Sequence, residues 1–294
     1  MAGLRAEQVI YDIIKARGGF SLAPLIRENI NGIDCWREAF LEEQAPVRAY
    51  FSGRAGGCSQ PPYDTLNLGL HVGDAPAAVL ANRRRLAGAL DLPLEEWVIG
   101  EQVHGNRVAL VGRQDAGRGA GELATALPGV DALVTAAPGV TLVAFFADCV
   151  PLYLVDPVRG IIGLAHAGWK GTVLQVGTRV VARMVAAYNS DPAELLAAIG
   201  PAIGPCCYQV DHRVAGAVKE HLPWAGEVLT PDGPGHYRLD LPRANYLELL
   251  AAGLKPEHIT SAGLCTCCRA GTFFSYRAAG GPTGRQAALL SLLR

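Results

Sequence analysis

Charge of either sign is sparse in this sequence. Only 18% of its 294 residues are charged, and 26 Lys and Arg stand against 27 Asp and Glu, a formal net charge of −1. That balance excludes broad electrostatic binding to nucleic acid or to an anionic membrane and leaves room only for a local basic pocket. Long apolar runs are missing too. The richest stretch, residues 140–155, is broken by Asp148 and Pro151, short of the roughly 20 apolar residues that a membrane helix needs. The opening MAGLRAEQVIYDIIKARGG carries charges throughout and has no apolar block of the signal-peptide kind, so a cytoplasmic location is expected. Dinucleotide and P-loop fingerprints are also missing: no G-x-G-x-x-G follows a strand, and there is no Walker sequence.

Hydrophobic residues make up 50% of the chain, enough for a sizeable buried core and against disorder. The eight cysteines are placed irregularly, including the adjacent pair Cys206–Cys207 and the cluster CTCCR at 265–269. In a large chain of this kind, reduced thiols or metal ligands fit better than structural disulfides. The three thiols of Cys265, Cys267 and Cys268 fall one short of the four that a structural zinc wants. Cys206 and Cys207 complete the set only if the fold brings them near.

Residues 1–46 read as an N-terminal extension, with a helical stretch at 6–17, and residues 47–294 as a single domain. Short apolar runs at 47–52, 96–103, 107–111, 130–135, 140–147, 151–156 and 160–167 read as strands. Helices are expected at 76–90, with Asp74 as its cap and Pro76 just inside, at 169–188, and at about 242–252. Strands arrive in clusters instead of alternating with helices, which favours an α+β sheet architecture over a doubly wound parallel sheet.

Three chemistry-bearing residues lie at strand ends: His104 in EQVHGNR, Cys149 in FFADCVP and His166 in GLAHAGWKG. Two imidazoles and a thiolate suit zinc, and three protein ligands leave the open position of a catalytic site. Taken singly, a His at a strand end is usually a solvent-facing or hydrogen-bonded His, a Cys after an apolar strand is usually a small buried hydrophobe, and the spacing is no compact zinc signature. On the 76–90 helix, Val79, Arg83, Leu86 and Leu90 share one face, so Arg83 points at the core and needs an anion or a carboxylate. A structural ion pair and a bound phosphate remain open there. Asn67, Gln102 and Asp148 stand as candidate orienting groups, each equally able to bond loop backbone. The GWKG segment around Lys170 precedes a helix, whose N–H groups suit a phosphate, although close-packed glycine explains it as well.

Several segments, in order, resemble the YfiH (laccase-domain) family: FSGRAGGCSQPPYDTLNLGLHVGD, the NR at 82–83, EQVHG, DALVT, ADCVPLYLVD, AHAGWKGT, AAIGPAIGPCCYQV, FFSYR and TGRQ. The resemblance covers about residues 47–294. It implies layered mixed β-sheets flanked by helices and a zinc pocket formed by His104, Cys149 and His166. Arg83 falls on the family's NR, and Tyr276 and Arg285 lie in family segments that line the pocket. The activity implied is phosphorolysis of adenosine, inosine and methylthioadenosine, with deamination of adenosine. The expected partners are therefore purine nucleosides and phosphate, and a monomer or a weak homo-oligomer is expected. The family's laccase label points instead to copper and polyphenol oxidation. Seven histidines with no H-x-H pair argue against a multicopper centre, although copper binds N/S ligands tightly enough to replace zinc at one site. Two further alternatives are a cysteine hydrolase acting on peptidoglycan precursors and a nucleoside-binding module without turnover.

Overall fold

The computed structural model describes residues 21–22 and 25–293. The helical stretch expected at 6–17 lies outside the described residues. Two large mixed sheets stack face to face. The first has seven strands, in the order β1 (Ser21–Leu22), β15 (Ile259–Ser261), β11 (Leu196–Ile199), β9 (Val150–Asp156), β10 (Ile161–Ala167), β7 (Ala132–Thr135) and β6 (Val108–Leu110). The second has six, in the order β2 (Ile26–Ile30), β3 (Ile33–Arg37), β4 (Val47–Ser52), β16 (Gln286–Leu292), β8 (Thr141–Phe146) and β5 (Trp97–Ile99). A small antiparallel sheet of β12 (Gln209–Asp211), β14 (His236–Leu239) and β13 (Leu229–Pro231) stands apart from both.

Side-chain alternation dictates the layering. Along β9, Leu152 and Leu154 pack with Val180 and Met184 of the helix Val176–Tyr188. The intervening Tyr153 and Val155 pack with Phe51, Phe146 and Leu290 of the second sheet. Along β8, Leu142, Ala144 and Phe146 face that inner layer, while Val143 and Phe145 turn outward, where Val143 packs with Leu86 and Leu90 of the helix Pro76–Leu90. Both faces of the central strands are therefore covered, which is why they read as unbroken apolar runs without an alternating pattern. The result is an α+β arrangement of two sheets with helices outside each.

The expected strand at 96–103 stops at Ile99, after which the chain turns away at Gly100 and continues as loop. The helix expected at 169–188 is two helices, Trp169–Val173 and Val176–Tyr188, separated by Gln175 in the left-handed region (φ 57°). At the break, the Leu174 carbonyl accepts from Asn106 Nδ2 at 2.9 Å, a bond from outside the helix. Pro76 opens its helix as expected, but the cap is Ala75. Asp74 instead accepts from the Ala75 N–H and from Asn67. Residues 26–37, within the stretch read as an extension, form a hairpin that adds two strands beyond β4 and places Ile33, Cys35 and Trp36 in the core.

Candidate active site

The β9–β10 pairing sets His166 opposite Pro151 and Ala167 opposite Val150, so Cys149, one residue ahead of β9, lies beside the end of β10. Asp131 immediately precedes β7, and its carbonyl accepts from the His166 N–H at 2.8 Å. Sheet register thus brings Asp131, Cys149 and His166 to one edge, and the loop after β5 delivers His104.

Asp131 organises the group. Its carboxylate accepts from the backbone N–H of Val103, His104 and Gly105 at 3.1, 2.9 and 2.7 Å, and lies 3.0 Å from His166 Nδ1. One side chain therefore holds the His104 loop and orients the His166 ring, leaving Nε2 to face the centre. Burial opposes its charge, yet the His166 contact and these N–H groups together hold its pKa below the usual carboxylate value. His104 and His166 meet edge to face with ring centroids 4.8 Å apart. The nitrogen and sulfur ligand atoms of His104, Cys149 and His166 all lie within 4.8 Å of one another, forming a group able to hold a metal ion. Burial resists ionisation of the Cys149 thiol, but the two imidazoles outweigh it and draw its pKa down. His166 is pulled up by the same pairing and by Asp131, against its burial.

The space beside this group is kept open by a missing side chain. A Cβ on Gly168 would stand 2.9 Å from His104 Cδ2 and 3.0 Å from Cys149 Sγ. The donor set, two imidazoles and one thiolate with an open side, fits zinc and also admits copper.

Several residues here hold uncommon backbone conformations: Gln102 (φ 54°), His104 (φ 60°) and Asp148 (φ 90°). Each is tied down, as such strain requires. Gln102 clamps Phe145, donating to its carbonyl at 2.9 Å and accepting its N–H at 2.8 Å. Asp148 accepts from the Thr266 hydroxyl at 2.7 Å and from the Arg277 N–H at 2.7 Å.

The group opens into a cavity of about 490 Å³ whose lining includes Gln102, Asp148, Tyr276 and Arg285 with the three metal-capable residues. Phe145, Trp169, Ile203 and Leu241 give it apolar walls. Tyr276 is 60% exposed. Arg285 reaches in while donating to the Thr283 and Gly284 carbonyls, both at 2.9 Å. Desolvation in the pocket and the adjacent Arg285 push His71 down to about 4, so it is neutral at pH 7.

Three expected site residues do not line this cavity. Arg83, 1% exposed, donates to the carbonyls of Leu68, Gly119 and Ala120 at 2.7–2.8 Å and lies 4.6 Å from the Phe145 ring centroid. Its place on the core-facing stripe predicts an anion as partner, but backbone carbonyls serve instead. Asn67 is buried and joins the Gly69 loop to the Arg285 N–H, so it positions Arg285. Lys170 is exposed, with Nζ 5.7 Å from the Trp169 ring centroid. The five-residue helix it lies on gives little dipole to hold a phosphate. Sequence reasoning also passed over His71, Asp131, Tyr208 and Arg277. The signal was present for the last, since FFSYR supplies both Tyr276 and Arg277. For Asp131, nothing in DALVT distinguishes an orienting carboxylate from an ordinary strand-entry Asp.

The family model described as "Multi-copper polyphenol oxidoreductase laccase" matches residues 48–293. The chain belongs to this family. Among its relatives, purine nucleoside phosphorylase YlmD of Geobacillus stearothermophilus is 48% identical over 256 residues, covering 87% of this chain and 93% of that protein. The crystal structure of YlmD from the same organism superposes with a TM-score of 0.87 at 43% identity, covering 92% of this chain and 100% of that one. The structure of the hypothetical protein YfiH of Bacillus licheniformis gives a TM-score of 0.84 at 39% identity, over 89% and 96% of the two chains. Adenosine deaminase RL5, from an unknown prokaryotic organism, is 34% identical over 84% of this chain and 94% of its own length. The two solved structures share the fold, YlmD and RL5 carry names for nucleoside chemistry, and the family description names copper. Among the described residues, no helix is long and apolar enough to cross a membrane.

Proposed function

We propose that this chain is a zinc-dependent purine nucleoside phosphorylase, acting on adenosine, inosine or methylthioadenosine, and that the same pocket deaminates adenosine. The observation that carries the reading is the convergence of His104, Cys149 and His166 in a cavity that also presents Arg277 and Arg285. His104, Cys149 and His166 would hold the zinc, which would supply Lewis acidity beside the cavity. The names of the similar phosphorylase and deaminase support the substrate class.

The chain's own residues divide the remaining work. Phe145, Trp169 and Ile203 offer flat and apolar contact to a purine, in a cavity within the usual size range for small ligands, roughly 300–1,000 Å³. Arg285 and Arg277 bring two guanidinium groups to the cavity lining, suited to bind the phosphate whose oxygen attacks the anomeric carbon. As that bond forms, the glycosidic bond breaks and its electron pair leaves with the purine, which must then gain a proton. Tyr208, whose phenol burial pushes up, remains a hydrogen-bond donor at pH 7. Neutral His71 offers both a donor and an acceptor there. Asp131 fixes the His166 tautomer and keeps the His104 loop in place.

The test is incubation of purified protein with adenosine, inosine or methylthioadenosine, with and without phosphate, and chromatographic separation of the products. Free base and ribose 1-phosphate (its 5-methylthio form from methylthioadenosine) that require phosphate and vanish in His104→Ala and Cys149→Ala support the proposal. Stoichiometrically metallated protein that yields no product from any of them overturns it. One specific observation favours a second reading. Asp131, His166 and Cys149 stand in the order orienter, base and thiolate, as in a cysteine hydrolase. Inactivation by thiol alkylation, with no response to metal removal, would favour that reading.

A further inference from the structure

Apart from the pocket, the described residues hold a second cluster of soft ligands. Cys206 and Cys207 lie between β11 and β12, and Cys265 and Cys268 follow β15. Their four Sγ atoms all lie within 4.8 Å of one another. Cys268 Sγ stands 3.5 Å from that of Cys206 and 3.4 Å from that of Cys207. All four are free cysteines, and these separations exceed the S–S bond of about 2.0 Å by a wide margin. Four sulfurs bound tetrahedrally to zinc at about 2.3 Å would stand about 3.8 Å apart, close to what is observed. A multi-iron cluster spreads four cysteines over two or four irons and so sets some pairs farther apart than the 4.8 Å found here, which selects a single ion.

Two further contacts suit a thiolate. Cys265 Sγ accepts from the backbone N–H of Gly204 at 3.3 Å and of Cys268 at 3.5 Å. Such N–H donors stabilise negative charge on sulfur and orient it before a metal arrives. Cys267, the remaining cysteine of the CTCCR segment, is not part of the group.

We propose that Cys206, Cys207, Cys265 and Cys268 bind a single zinc ion in a structural site, separate from the pocket. On binding, each thiol releases its proton to solvent and no electron is transferred. The ion would staple two loops that already meet at the Ala202–Cys265 bridge. Both loops support the pocket wall. Arg277 donates to the Cys207 carbonyl and Arg238 to that of Cys206, at 2.9 and 3.0 Å. Thr266, between two of the cysteines, donates to Asp148. The site thus holds the segments that carry Asp148, Tyr208 and Arg277, whatever reaction the pocket performs.

The test is metal analysis of the full chain purified under reducing conditions, paired with alkylation of the native protein and peptide mapping. The expected result is about two zinc ions per chain. A His104→Ala/His166→Ala variant should keep one of them, and Cys206→Ser/Cys268→Ser should lose the other. In wild-type protein the four thiols should resist alkylation until a chelator is added, a readout that needs no variant to fold. In the histidine variant, chelation should lower Tm. Zinc that disappears entirely with the two histidines, with the four thiols freely alkylated, overturns the proposal. So does iron in place of zinc, or a disulfide to Cys268 with no second metal.

Discussion

Gly168 offers the sharpest test of whether the His104–Cys149–His166 geometry is built for a metal. Its backbone lies at φ −73° and ψ 174°, a region open to any residue, so alanine brings no conformational penalty there. The cost falls on the site. The added Cβ would stand 2.9 Å from His104 Cδ2 and 3.0 Å from Cys149 Sγ, where ordinary contact begins at 3.4 Å. At least one ligand must therefore retreat by about 0.5 Å, while metal–ligand distances tolerate only about 0.2 Å. Disturbing the support of a metal site typically lowers affinity 10–100-fold, equivalent to about 1.4–2.8 kcal/mol. Gly168→Ala should weaken zinc binding by that factor in a competitive chelator titration, with the Tm of the metal-free protein little changed. An affinity within a factor of about two of wild type would refute the reasoning, because the ligands would then not need the room that Gly168 leaves.

Asp131→Asn keeps the shape but places a donor among N–H groups, so metal affinity should fall roughly 10–100-fold by the same titration. Arg83→Met leaves the carbonyls of Leu68, Gly119 and Ala120 without their donor, at about 1–3 kcal/mol for each that water cannot reach. Denaturant melts should show that loss, while KM for phosphate in the folded fraction stays unchanged; a raised KM would return Arg83 to the substrate. Arg285→Ala should raise KM for phosphate at least tenfold with zinc content intact, as read by initial rates at varied phosphate. Burial pushes Glu248 up to about 8 from 4.5, and its Oε2 has no partner. The folded state therefore keeps a proton that the unfolded chain releases, so stability is full below pH 4.5 and falls as pH rises towards 8. The loss has an upper bound on the order of 5 kcal/mol, at about 1.36 kcal/mol per pKa unit. Buried Glu38, also raised to about 8, contributes in the same direction. Urea melts across that range should show a shallower slope for Glu248→Gln, and an unchanged slope would contradict its burial as the cause.

The fold was legible where a strand is apolar on both faces, because seclusion of that kind leaves an uninterrupted run. All seven apolar runs from 47 to 167 contain strands, and 47–52 matches β4. Elements set by long-range contact were not legible. The break at Gln175 is met by Asn106, which bonds the Leu174 carbonyl from 68 residues away, a contact that the helical spacing does not show. At the site, His104, Cys149 and His166 were marked by their resemblance to the family, and register explains why they meet. Arg83 shows the opposite limit. Helical spacing located it correctly in the core, but periodicity has no means of counting the backbone carbonyls that other loops bring to it. Asp131 is not legible because its role arises from four partners on two distant segments, residues 103–105 and His166, none visible from its own neighbours.

β16 lies between β4 and β8 in the six-stranded sheet, although it is among the last segments in sequence. Arg277 and Arg285 precede it by only a few residues, and Gln286 pairs with Phe146 beside the pocket. During synthesis the ribosome releases β4 and β8 long before the strand that must join them. Until residues 286–292 emerge, the edges of those two strands that β16 covers stay open to foreign partners. A nascent chain arrested ahead of Gln286 should therefore be bound by chaperones and cleaved readily by protease, and resistance should arise abruptly once β16 clears the exit tunnel.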